Sequence, residues 1–256
     1  MIRGLDIFKK WFEAYSENYV IIGGSACDAA LNDSGFTARA TKDIDVILNI
    51  EALSVAFVNH FWNFIRAAGY QKREQEVQKR NAYRFVHPAD TSFPAQIELF
   101  CRKPDALSLP DDIHITPIPA EEGLSSLSAI LLDDGYYNFT LRHSTIIGGV
   151  HYADPDALIC LKAFAYLSNL KLKDSGIAIH SVNIDKHKND VFRLLPLLPS
   201  SIVIDLPASI HSDMQIFAST IANQLPPQQI LAQTGFMNLS PDDLYQNLLS
   251  IFQLKR

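Results

Sequence analysis

The sequence predicts an α+β chain, with a mixed β-sheet and flanking helices over residues 1–153 and a helical domain over residues 154–256. Three observations predict it. Short β-rich runs, bounded by Gly, Pro and charged turns, crowd the first half. The texture changes at Ala153-Asp154-Pro155. Every apolar pattern beyond that point has helical spacing.

The elements follow in order. Leu5, Phe8, Phe12 and Tyr15 share one face of a helix over 5–17 whose other face carries Lys9, Lys10 and Glu13. Tyr19 to Ile22 is a β-run ending at Gly23-Gly24, and Ser25 to Leu31 reads as a helix. Asp43 to Leu48 alternates acidic and apolar residues as a strand does. Glu51 to Ala68 is a helix stopped by Gly69. Strands are expected over Tyr70–Glu76, Ala82–His87 and Ala95–Phe100, and an irregular connection with one short strand over 102–123. Residues 124–152 read as further strand pieces, Thr145–Val150 among them, with Gly148-Gly149 as a turn. Helices are expected over Asp156–Leu172, Asn183–Leu198, Pro207–Leu225, Pro226–Gln233 and Pro241–Leu254. The last has a Ser240 cap, Pro241 in the first turn and two carboxylates at the positive dipole end.

Composition narrows the function classes. With 256 residues, 48% hydrophobic and 20% charged, the chain is neither disordered, collagenous nor supercharged. A net charge of −6 argues against a general nucleic-acid coat but leaves room for a local basic groove. Residues 154–256 hold 8 Lys and Arg against 9 Asp and no Glu, so −5 of that charge lies in 1–153. The N-terminus lacks a signal-type apolar run and no window is apolar enough to span a membrane, so a cytoplasmic protein is expected. Cys27, Cys101 and Cys160 are scattered and odd in number, which points to reduced, buried thiols. The eight His show no ligand spacing, so no zinc site is expected.

The stretch from Tyr19 to Leu48 carries the chemistry. Gly23-Gly24-Ser25 delivers a β-run to a helix start, where unpaired amides and the Ser25 hydroxyl can cradle a phosphate. Alone, that tripeptide also fits a plain tight turn. Asp43 and Asp45, two residues apart on a strand, put both carboxylates on one face. Such a pair repels unless a cation lies between. Mg²⁺ is held by one or two carboxylates plus substrate phosphates. Glu98, within Gln96-Ile97-Glu98-Leu99-Phe100, offers a third carboxylate on another strand. Three carboxylates near a phosphate-binding turn are the parts of metal-assisted phosphoryl or nucleotidyl transfer.

Gly23-Gly24-Ser25 followed by Arg39-Ala40-Thr41-Lys42-Asp43-Ile44-Asp45 resembles the nucleotidyltransferase superfamily of the DNA polymerase β type, most closely its AbiEii-like toxin group. Asp156 to Ala165 resembles the family's Lys-bearing helix, and Lys186 to Leu195 its later basic and Asp motif. The resemblance covers roughly residues 19–48, 95–100 and 154–196. It implies a nucleotidyltransferase-type sheet, with Asp43, Asp45 and Glu98 as catalytic metal ligands for Mg²⁺ or Mn²⁺. It further implies that Gly23, Gly24, Ser25, Arg39, Thr41 and Lys162 bind an NTP, and that Asp190 orients a base or acceptor. Lys162 in a salt bridge, and Asp190 paired with Lys186 or Arg193, remain the alternatives for those two residues.

The expected activity is transfer of a nucleoside monophosphate to an RNA or protein acceptor, with pyrophosphate leaving. A toxin partnered by an antitoxin protein keeps that chemistry. A degenerate scaffold that binds nucleotide or RNA, and a small-molecule (antibiotic) nucleotidyltransferase, are the rival readings. Lys171, Lys173, Lys186, Lys188 and Arg193 form a basic cluster that suits nucleic acid, triphosphate or plain solvent.

Overall fold

The computed structural model describes residues 2–70, 82–100, 116–117 and 133–255 and shows an α+β chain. It divides into two compact units. One draws on Met1–Ala26, Ala40–Leu124 and Ser144–Ala153, the other on Cys27–Arg39, Ser125–His143 and Asp154–Arg256. One join thus falls at 153/154, and two earlier stretches also belong with the later helices.

The first unit is built on a mixed sheet. Its strands are β1 (Tyr19–Ile22), β2 (Asp43–Leu48), β3 (Ala82–Val86), β4 (Gln96–Phe100), β5 (Thr116–Pro117), β6 (Ser144–Ile147) and β7 (Val150–Ala153). They lie in the order β5-β3-β4-β2-β1-β7-β6. β1 is buried along its whole length, pairing antiparallel with β2 and parallel with β7. A strand covered on both faces needs a continuous apolar run, which Tyr-Val-Ile-Ile supplies. Helices α1 (Leu5–Phe12) and α3 (Val55–Ala68) bring Phe8, Phe12, Phe57, Phe61 and Phe64 together in one aromatic cluster with Tyr19. Each such side chain contributes roughly 1.5–3 kcal/mol by leaving water. Ser54 caps α3 by accepting the Phe57 amide at 3.1 Å, and Gly69 ends it in the left-handed region at φ 61°. After Phe12 the α-helix expected through residue 17 tightens into a 3₁₀ segment, Glu13–Asn18.

Two expectations over residues 124–152 are corrected. Residues 134–142 form a helix, α4 (Asp134–Arg142), not a strand. The Asp133 carboxylate accepts the Tyr136 amide at 3.0 Å, and Tyr136, Tyr137, Phe139 and Thr140 are buried on one side. The helical period outweighs the β-propensity of the aromatics. The run expected over Thr145–Val150 is a hairpin, with β6 and β7 joined through Gly148 and Gly149 at φ 58° and 85°. Two positive φ values suit a two-residue turn between strands. Of the strand expected over Tyr70–Glu76 only Tyr70 is described, and of 102–123 only 116–117; the rest, and Cys101, lie outside the described residues.

The second unit is helical around α5 (Pro155–Asp174), α6 (Ser181–Leu194), α7 (Ala208–Ile221), α8 (Gln228–Thr234) and α9 (Pro241–Ile251). α5 is buried nearly all round and packs against α6 and α7, where Tyr166 meets Phe217 edge to face at 5.4 Å. Ser240 caps α9, its hydroxyl accepting the Asp243 amide. Cys27 and Cys160 are buried thiols, and burial pushes the Cys160 thiol well up. Among the described residues no helix is long and apolar enough to cross a membrane.

Candidate functional site

In the first unit the alternation of β2 becomes geometry. Asp43 and Asp45 are half-buried, while Ile44 and Val46 point the other way into the core. β4 runs parallel to β2, with Gln96 beside Asp43 and Glu98 beside Asp45. Neighbours across a ladder share a face, so the four polar side chains form one patch. Ile97 and Leu99 complete the buried layer behind it.

The turn after β1 is pressed against this patch. Register places Ile22 opposite Asp45, so the chain leaves β1 at the acidic pair. α2 (Gly23–Asp33) starts there. Gly23 sits at φ 67°, and a Cβ on it would lie 1.8 Å from Asp45 Oδ2. A Cβ on Gly24 would lie 2.6 Å from Thr41 Oγ1. Both glycines therefore answer to close approach, not only to turn conformation. Ser25 is fully buried and its hydroxyl donates to the Asp43 carbonyl. That bond ties the start of α2 to β2, and it uses the proton that the sequence reading offered to a phosphate.

Glu98 has a partner that sequence reading missed. Arg84 donates to Oε1 through Nε at 2.8 Å and reaches the same oxygen through a terminal nitrogen at 2.7 Å. Gln96 adds a third donor at 2.8 Å. Burial pushes the Glu98 carboxyl up, Arg84 pulls it down, and the Asp43 charge raises it again; the net shift is upward. Antiparallel register sets Arg84 directly across from Glu98, so knowing which strands pair would have exposed it.

Chemically, Asp43 and Asp45 fit a magnesium-type cation that takes its other oxygens from phosphates and water. Among the described residues no group of three or more His, Cys, Asp or Glu side chains is arranged to hold a metal ion. Glu98 stands on the same face but is engaged by Arg84.

The remaining candidate residues gather in the second unit. Asp190, 3% exposed, accepts from Lys162 at 2.9 Å, Arg193 at 3.0 Å and Arg39 at 3.1 Å. Lys162 projects from α5, Asp190 and Arg193 from α6, and Arg39 from the stretch that follows α2. Burial raises the Asp190 carboxyl, but Lys162 and Arg39 overcome it and hold the group below the usual carboxylate range. Burial lowers Lys162, Asp190 raises it, and the net shift is upward. Both stay charged, as a buried pair must to offset its lost hydration. His187 is pushed well down by burial and by Lys162, and its Nδ1 is buried without a hydrogen-bond partner among the described residues. In the basic cluster, Lys188 is engaged by Asp185 at 3.1 Å and the Gln224 carbonyl at 2.9 Å, while Lys171 and Lys173 are exposed.

No protein-family model and no curated protein sequence matches the chain.

Proposed function

We propose that this chain is a nucleotidyltransferase whose acidic patch on β2 works with the turn after β1. The observation that carries the reading is the seating of Asp45 and Thr41 directly on Gly23 and Gly24, where no Cβ fits. A triphosphate laid on that turn would meet the first amides of α2, which have no intrahelical partner. Asp43 and Asp45 would hold Mg²⁺ or Mn²⁺. The ion, when bound, would neutralise triphosphate charge and polarise the phosphoryl oxygens. Ser25 keeps Asp43 in place through its carbonyl. In the second unit Asp190 holds Lys162 and Arg39 by ion pairs. The acceptor is RNA or protein, with an antitoxin protein as a further partner.

Incubation with each α-³²P-labelled NTP, Mg²⁺ and cell extract tests this. We expect one class of macromolecule to become labelled, and Asp43→Asn to abolish labelling while the thermal melt stays near wild type. Labelling that survives in Asp43→Asn would sink the assignment.

A second reading has its own support. The Arg84–Glu98 ion pair engages the third carboxylate, which favours a nucleotide-binding protein without catalysis. It predicts NTP binding with no transfer in the same assay, and no gain of transfer in Arg84→Ala.

A further inference from the structure

A cavity of about 660 Å³ lies wholly within the second unit. None of its lining residues belongs to the candidate site above. Phe139, Ile202 and Val203 give it apolar wall, and Arg142, His143 and Asp156 line it as well. Its size falls in the range of small-molecule sites, roughly 300–1,000 Å³.

The polar part of the wall is built. His143 follows the last residue of α4, and Asp156 lies in the first turn of α5. The two meet through Nδ1 and Oδ2 at 2.5 Å. Asp156 Oδ1 accepts the Ala157 amide at 2.7 Å, so both carboxylate oxygens are engaged. A carboxylate only accepts, so Nδ1 is the donor and the ring orientation is set. Phe139 stacks on the imidazole face at 4.0 Å between centroids, holding the ring from a second side. Arg142 uses Nε on the Asn138 carbonyl at 3.2 Å, which leaves its two terminal nitrogens as donors. Ile202 and Val203 are 39% and 57% exposed on an extended segment beside these polar groups.

We propose that this cavity binds a small organic anion with an apolar or aromatic body. The acidic head would take hydrogen bonds from the Arg142 guanidinium, and the body would cover Ile202 and Val203. Asp205, exposed in the lining, opposes a second negative group and so favours a monoanion.

The probe is 8-anilinonaphthalene-1-sulfonate, titrated by fluorescence into the folded chain. One saturable site per chain is expected. Arg142→Gln, an exposed position, should weaken it about tenfold, as loss of a charge-assisted hydrogen bond does. Val203→Trp should weaken it comparably by filling the cavity. Octanoate should displace the dye, and octylammonium should not. Non-saturable dye binding, or binding within twofold of wild type in either variant, would overturn the proposal. Equal displacement by octylammonium would overturn the assignment to anions. Each variant's circular dichroism and thermal melt separate a lost site from a lost fold, and NTP labelling does not enter the readout.

Discussion

At Gly23 the backbone conformation and the available space point the same way. A φ of 67° is strained for any residue with a Cβ, and that atom would occupy the place of Asp45 Oδ2. Gly23→Ala should therefore destabilise by about 1–3 kcal/mol through the strain alone, and also displace the acidic pair. Urea unfolding reads the first effect, and loss of NTP labelling at concentrations where the variant stays folded reads the second. Ser25→Ala isolates another contribution. It leaves the half-buried Asp43 carbonyl short of a donor, which should cost about 1 kcal/mol in the same titration. The acidic pair and the glycines were legible in the sequence because strand alternation and turn chemistry act over a few residues. The destination of the Ser25 proton was not, since it depends on a strand 18 residues away.

At the scale of elements, capping and burial decide what propensity leaves open. α4 carries two Tyr and one Phe, a strand-like composition, yet it is helical. Asp133 supplies the cap, and the period of its buried residues supplies the packing. Asp133 also accepts from Ser209 at 3.1 Å, so Asp133→Ala removes both bonds. A loss of about 1 kcal/mol is expected for the cap alone, seen as a lowered thermal midpoint, with Asp133→Asn retaining most of it. The sheet shows the converse. Its strands were mostly readable one by one, whereas the order β5-β3-β4-β2-β1-β7-β6 was not, because pairing joins segments far apart in the chain. That order is what brings Glu98 beside Asp45 and Arg84 across from Glu98.

At the scale of the whole molecule, three cations from distant parts of the chain meet on Asp190. Its carboxyl lies lower in the folded chain than in the unfolded one. Its stabilisation is thus complete above the ordinary carboxylate value of about 3.9 and is lost as pH falls through the lower folded value. Asp190→Asn removes the charge that offsets Lys162 and Arg193, both buried, and should destabilise by about 3–5 kcal/mol at pH 7. The gap from wild type should narrow below about pH 4, where the unfolded wild-type carboxyl takes up a proton. Urea titrations at pH 7 and pH 3.5 check this, and a pH-independent gap would mean that the carboxylate's charge is not what matters.

By itself the sequence determined the α+β class, most of the strands and helices, and the placing of Asp43 and Asp45 on one strand face. Periodicity, turn glycines and caps act within a few residues, so a local reading reaches them. Tertiary structure alone decided that Arg84 engages Glu98, that Ser25 faces the Asp43 carbonyl, and that Arg39 meets Asp190 across 151 residues of chain. Those outcomes depend on strand register and on which buried charges find one another. Neither is written in any single stretch of sequence, because each is set by the free energy of elements packing together.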